Sequence, residues 1–326
     1  MQPPRFPTHR RSALIALAAL ALPALATAQP GAWPAKPITF VVPQAAGGAN
    51  DVIARAVAQA MGDSLGQSVV VENRPGANGN LGSSQVARSA GDGYTWLVTA
   101  QSAYTINPAL YSKTGFDPLA DFKPVMQLGV APYLLVVHPD LPAKNLAELV
   151  AYARSHPGQI NYASAGNGTL NHLLGEMLKK QENIEMTHVP YRGASAAATE
   201  VAGGQVPVTF GSFPGVMPFV RSGKLRVLGV ASAKPTPLAP EIPTLGEKLA
   251  VTSWYGLFAP AGTPDAIVNR MHQAVKKALA TPEMLKRLET LGAEPVESDP
   301  ASFKAQLPAE LAHWKKVVQE SGARID

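Results

Sequence analysis

From residue 33 onward, short apolar runs alternate with longer stretches in which apolar positions recur every three or four residues. The short runs suit strands, and the longer period suits helices that bury one face. The alternation predicts an α/β architecture, built from βαβ units around a largely parallel sheet. The first unit places a strand over 38–42 and a helix over 51–65, whose Ala54, Val57, Ala58 and Met61 share a face. A strand over 69–71 follows, then a glycine-punctuated turn at 73–82, a short helix to 89, and a strand over 94–99 after Gly91-Asp92-Gly93.

A second series begins with a strand over 133–137 and a helix over 145–155 announced by the Leu141-Pro142 turn. Strands over 161–164, 186–190, 206–211 and 225–231 alternate with helices near 169–180 and 194–202. The proline-rich stretch 234–243 predicts a rigid connection. Beyond it come a strand over 253–260 and helices over 264–280, 282–291 and 300–321, with Pro264 and Pro282 where a first helical turn tolerates proline. No internal repeat is present, so the two series are alike in pattern only. A chain of 326 residues exceeds what one core usually serves. The expected organisation is a first domain over 29–125 and 233–326, interrupted by a second over 126–232. Crossings near 126–131 and 231–233 would form the hinge, the arrangement of domains that close on a ligand.

The first segment has a different character. His9, Arg10 and Arg11 form a basic region, residues 13–25 an Ala/Leu-rich run, and Ala26-Thr27-Ala28 a small-residue cleavage site. This is the pattern of a secretory signal over 1–28 with Gln29 as the first mature residue, and it predicts a periplasmic protein. The run is too short to span a bilayer. Ser12-Ala13-Leu14 lacks the aromatic residue of a twin-arginine signal, so Sec export is expected. Cleavage removes Arg5, Arg10 and Arg11 and no acid, lowering the formal charge from +5 to +2. The remaining Lys and Arg are scattered, with no basic stripe for nucleic acid. Cysteine is absent, which removes disulfides, thiolate metal sites and thiol nucleophiles.

Three places run from a strand through a glycine-containing loop into a helix start. The first spans Pro43, Gln44, Ala45, Ala46, Gly47, Gly48, Ala49, Asn50 and Asp51. The second is Ser164, Ala165, Gly166, Asn167, Gly168 and Thr169, and the third Tyr191, Arg192, Gly193, Ala194 and Ser195. The first N–H groups of a helix lack internal partners and carry partial positive charge, so an anion is stabilised there without a lysine. In an open α/β sheet such loops lie at the carboxyl ends of the strands, where ligands bind. Glycine is also simply suited to βα turns. Its occurrence in both halves points to a shared site, and the small uncharged residues fit a carboxylate better than a phosphate.

Around these loops, Arg192 offers either a carboxylate clamp or an exposed ion pair, and His172 either support for loop backbone or ligand contact. Asp51 caps its helix or faces the ligand. Gln101, Ser102 and Tyr104 follow a strand and supply either hydrogen bonds to a ligand or a polar turn. Enzyme signatures are poor. Gly76 to Gly82 is spaced G-x-x-G-x-x-G rather than as a dinucleotide fingerprint, Gly223-Lys224 precedes Leu225 so no P-loop exists, and Tyr162 to Gly166 lacks the first glycine of a nucleophile elbow. The histidines outside the signal form no metal-like spacing, and no cofactor or metal is expected.

The sequence resembles the substrate-binding proteins of tripartite tricarboxylate transporters, often called Bug receptors and abundant in β-proteobacteria. The resemblance covers nearly the whole mature chain: Trp33-Pro34, Lys36-Pro37-Ile38, the loop from Val42-Pro43 to Asp51, and Val71-Glu72-Asn73-Arg74-Pro75-Gly76-Ala77. It continues through Asp92-Gly93-Tyr94-Thr95, Val189-Pro190-Tyr191-Arg192-Gly193, Gly223-Lys224-Leu225-Arg226 and the stretch from Trp254 through Gly256-Leu257-Phe258-Ala259-Pro260-Ala261-Gly262-Thr263-Pro264. It implies a two-domain type II periplasmic-binding-protein fold with a ligand cleft between the domains. Carboxylates would be held by backbone amides and ordered water in the loops at Ala45, Ala46, Gly47 and Gly48 and from Ser164 to Thr169. It also implies a receptor that acts as a single copy and delivers its ligand to a membrane permease, although many members have no adjacent transporter. Family ligands include citrate, dicarboxylates, acidic amino acids and aromatic acids. Members often carry Asp-Asn where this chain has Gly211-Ser212 before Phe213. If that acidic position contacts an amino group or orders water, its absence argues against an amino-acid ligand. Two other readings stand beside this one: an enzyme acting on a small acid, with Ser164, His172 and Asp51 converging, and a sensory receptor not tied to transport.

Overall fold

The computed structural model describes residues 1–2, 33–251, 253–323 and 325. The segment read as an export signal lies outside the described residues, except for its first two positions. Ten strands are described: β1 (Ile38–Val42), β2 (Val69–Asn73), β3 (Thr95–Ala100), β4 (Phe122–Ala131), β5 (Tyr133–Val137), β6 (Asn161–Ser164), β7 (Thr187–Pro190), β8 (Val208–Ser212), β9 (Arg226–Val230) and β10 (Ser253–Pro260). The first five α-helices are α1 (Ala49–Leu65), α2 (Asn80–Ala87), α3 (Asn107–Leu110), α4 (Leu146–Ser155) and α5 (Leu170–Glu182). The rest are α6 (Ala194–Ala202), α7 (Phe213–Arg221), α8 (Asp265–Leu279), α9 (Pro282–Thr290) and α10 (Pro300–Ser321).

The strands form two five-stranded sheets, ordered β2-β1-β3-β10-β4 and β7-β6-β8-β5-β9. The expectation of a largely parallel sheet is corrected: four pairings are parallel and four antiparallel. β10 and β5 are the cause, since each is inserted against the direction of its neighbours. β1 is apolar except for half-buried Thr39, and buried because helices cover both faces. One face packs Ile53, Val57 and Met61 of α1 with Met271 and Val275 of α8. The opposite face carries an aromatic cluster of Tyr104, Phe122, Trp254, Phe258 and Phe303, in which Tyr104 stacks on Phe258 at 4.1 Å.

The crossing drawn at 126–131 falls inside β4, which stays in the first sheet to Ala131, and the chain changes sheets at Pro132. Pro124 disguised this strand in the sequence. It is tolerated because β4 is an edge strand, where a missing N–H costs no ladder bond. α10 starts with a capping box formed by Asp299 and Ser302 and serves both sheets. Phe303 and Leu307 join the first sheet's aromatic cluster, whereas Trp314 and Val318 lie in a core of the second.

Candidate functional site

Both sheets repeat one topology around a central strand. From β1 the chain crosses to β2 on one side and then to β3 on the other, and β6, β7 and β8 do the same. The reversal leaves a crevice outside the carboxyl end of β1 and another outside β6, the place where α/β sheets bind ligands. The loops 43–49 and 164–169 emerge at these two points.

In the first loop Ala45, Ala46, Gly47 and Gly48 are exposed, while Asn50 and Asp51 are buried. Gly47 turns the chain with φ +80°, a region that favours glycine. Its own N–H donates to Asp51 Oδ2 at 2.9 Å. Asp51 also accepts from Asn73 Nδ2 at 3.0 Å and from Arg55 at 3.0 and 3.1 Å. Burial would raise its pKa, yet Arg55, the Gly47 amide and Asn73 together hold the carboxyl below its ordinary range. Asp51 thus ties the loop to β2 rather than capping α1, whose N-cap is Gly48 without a side-chain cap bond. Asn50 donates to Val98 O at 2.9 Å and to Gln44 Oε1, closing the base of the loop.

The second loop is tied by other means. Gly166 (φ +124°) donates its N–H to Ser164 Oγ at 3.0 Å, and Gly168 (φ +74°) donates to His172 Nδ1 at 3.1 Å. His172 therefore supports loop backbone. Burial lowers its pKa, which favours the neutral ring that this acceptor role requires. Ser164 Oγ lies 2.6 Å from His188 Nε2 and also donates to Gly166 O at 3.1 Å. Ser164 is fully buried, so the pair is a scaffold under the loop rather than an exposed nucleophile and base. Asp51 is bonded to the first loop and β2, and the enzyme-like convergence of Ser164, His172 and Asp51 does not form. Thr169 Oγ1 donates to Gly166 O at 2.7 Å, and Ala165 O accepts the N–H of Gly193 at 3.2 Å, joining the second loop to the third.

The glycine amides that the sequence brings forward are thus mostly consumed inside the loops, and the free donors lie one step further on. Among the described residues no protein acceptor meets the N–H of Ala49, Asn50 or Asp51, of Leu170, Asn171 or His172, or of Ala194, Ser195 or Ala196. These are the opening amides of α1, α5 and α6. Arg192 is exposed at the rim of the third loop beside half-buried Tyr191, and it enters no ion pair among the described residues. Gln101 turns away from this surface: it is fully buried, with Nε2 donating to Thr105 Oγ1 at 2.9 Å. Ser102 is half-buried where a π-helical turn, Ser102–Ile106, begins.

That turn and α3 carry the first sheet's side of the crevice across to the second loop. A methyl at Gly79 would lie 3.2 Å from Gln44 Nε2. Asn78, the next residue back, donates to Asn107 Oδ1 at 2.8 Å, and Asn107 donates to Asn80 Oδ1 at 2.7 Å. One helical turn on, Leu110 lies so close to Gly168 that a methyl there would sit 2.4 Å from Leu110 Cδ1. An unbroken line of contacts therefore runs from the first loop to the second. Sequence reading missed the asparagines: Asn78 and Asn80 lay inside a run weighed as a turn and as a dinucleotide fingerprint, and Asn107 lay in a stretch given no element. A cavity of about 460 Å³ opens elsewhere, between α5 and α10, and its Lys180 and Lys316 face Glu320 at 3.1 and 3.9 Å. Among the described residues no His, Asp and Glu cluster is arranged to hold a metal.

Residues 53–323 match the family model described as the tripartite tricarboxylate transporter family receptor. The chain belongs to that family. The receptor is 33% identical over 316 residues to protein BugT of Bordetella pertussis, covering 95% of this chain and 96% of BugT. Among solved structures it is similar to Rpa4515 of R. palustris with adipate, with a TM-score of 0.83, 34% identity and coverage of 90% of this chain and 99% of that one. It is also similar to MatC of Rhodopseudomonas palustris with bound malate, with a TM-score of 0.79, 33% identity and coverage of 88% and 100%. The receptor's fold is accordingly the two-sheet α/β fold of the family's periplasmic binding proteins.

Proposed function

We propose that this protein is an exported, single-copy receptor that captures a small carboxylate between two lobes and passes it to a membrane permease. The lobes correspond to the two sheets, with Pro132 and the stretch after β9 as the flexible crossings. The observation that carries the reading is the set of unconsumed amides at the starts of α1, α5 and α6, beside loops joined by one line of contacts. Amides fixed in this way stabilise an anion without reorganisation. Closure follows because an anion touching both lobes favours the conformation in which it makes both sets of contacts. Adipate and malate, the molecules bound by the two similar structures, make aliphatic dicarboxylates the first candidates. Arg192, exposed at the rim and in no ion pair among the described residues, is suited to a second carboxylate.

Thermal-shift measurement of the protein beginning at Gln29 against a carboxylate panel tests this. A selective ligand raises the midpoint by an amount that grows with the logarithm of its concentration over its dissociation constant. Gly47→Val should abolish the rise while the protein still folds, because the space beside Gly47 is open and only its backbone conformation is lost. A ligand returned unchanged after incubation identifies a receptor, and turnover would identify an enzyme.

A further inference from the structure

The second loop rests on two imidazoles. His172, on the first turn of α5, and His188, in the edge strand β7, stack with centroids 3.9 Å apart and planes inclined by 13°. Tyr162 of β6 continues the stack at 5.0 Å from His188. Each ring presents one nitrogen to the loop: His172 Nδ1 accepts the Gly168 N–H, and His188 Nε2 fixes the Ser164 hydroxyl that accepts the Gly166 N–H.

We propose that the stacked pair is the positioning element of the 164–169 loop, His188 acting through Ser164 and His172 through Gly168, and that His172 must stay unprotonated for the loop to receive an anion. The inference rests on the reading of that loop as half of the carboxylate site. Its physical basis is the hydrogen-bond inventory of imidazole. Neutral histidine has one donor and one acceptor nitrogen, whereas the protonated ring has two donors. A protonated His172 would turn Nδ1–H against the Gly168 N–H, donor against donor, in a site where both are buried. Leu110 fills the space beside the Gly168 Cα, which limits how far that backbone can shift.

The surroundings keep the pair neutral. Burial lowers both pKa values, and for His188 the neighbouring His172 adds to this, bringing it to about 4. Glu176 favours a proton on either ring and Lys179 opposes it. These two charges largely satisfy each other, with Lys179 Nζ 2.8 Å from Glu176 Oε1, and Tyr162 Oη also donates to that oxygen at 2.5 Å. The stack itself discourages charge, because a proton on one ring repels a proton on the other.

Hydrogen exchange and ligand-induced thermal shift, both followed from pH 7 to pH 4 with adipate and malate as probes, test the proposal. In the wild type, protection of the Gly168 amide and the ligand shift should hold at neutral pH and fall together as His172 titrates. His172→Phe keeps a stacking ring but removes the acceptor, and should lower Gly168 protection at least tenfold at every pH. His172→Asn offers an uncharged acceptor near the position of Nδ1. It should restore protection and the neutral-pH ligand response and flatten the protection profile, while the ligand response still falls where adipate and malate themselves take up protons. His188→Phe should selectively speed exchange at Gly166. Unchanged Gly168 protection in His172→Phe would overturn the proposal, as would a His172→Asn protection profile that still falls with pH. If His172→Phe does not fold, the His172→Asn profile decides alone. If neither acid shifts the wild type, the carboxylate reading loses its support from these probes, while the exchange data still judge the scaffold.

Discussion

Asp51 holds the Gly47 amide, Asn73 and Arg55 at once, so one buried carboxylate fixes the first loop, β2 and α1 together. Asp51→Asn should cost about 1–3 kcal/mol, because it removes the charge and leaves Arg55 without its partner. Urea denaturation reads that loss, and the ligand-induced thermal shift should shrink with it. The sign of the pH dependence follows from the same carboxyl. Its folded pKa lies below the ordinary 3.8, so its contribution is present above that value and lost as pH falls through the folded pKa. The histidines act earlier in an acid titration. His188 falls from 6.5 to about 4, and the unfolded chain therefore takes up protons across that window while the folded chain does not. Stability should decline steadily from pH 6.5 toward pH 4, and thermal midpoints in that range should flatten in His188→Gln.

At the scale of elements, α10 joins what the sheets separate. Trp314 is buried in a core of the second sheet, while Phe303 near the start of the same helix packs against Trp254 in the first, at 5.1 Å and edge to face. Trp314→Ala should cost about 3–5 kcal/mol in calorimetry, the usual range for emptying an aromatic site. Between these anchors Glu310 accepts the Trp254 indole N–H at 3.0 Å and the Thr105 hydroxyl at 3.3 Å, tying the helix to the turn behind the crevice. Burial raises its pKa, and these bonds partly offset the rise. Such joints were the part of the fold least legible in the sequence. β1, β5, β6 and α6 were legible to the residue because apolar runs and glycine starts mark them. The 102–110 segment and α7 were not, since a π-turn has no simple period and α7 carries Pro214 and Pro218. The site was legible as loops. Its free amides, its asparagine line and the role of His188 depend on contacts between distant segments, which no local spacing encodes.

Over the whole molecule, two similar sheets are joined by a single residue at Pro132, by the stretch that follows β9, by α10, and by the 102–110 segment, whose Ile106 lies in the second core. If ligand draws the lobes together, small-angle scattering should show a smaller radius of gyration with saturating ligand, and no change would count against closure. The placement of β10 and α10 has a further consequence for how such a chain is made. The first sheet is missing its fourth strand until residue 260 has been added, and the second core is missing Trp314, Val318 and Ala323 until the final turns. During synthesis each half therefore stays unfinished until a late segment arrives, the first sheet until β10 and the second core until α10.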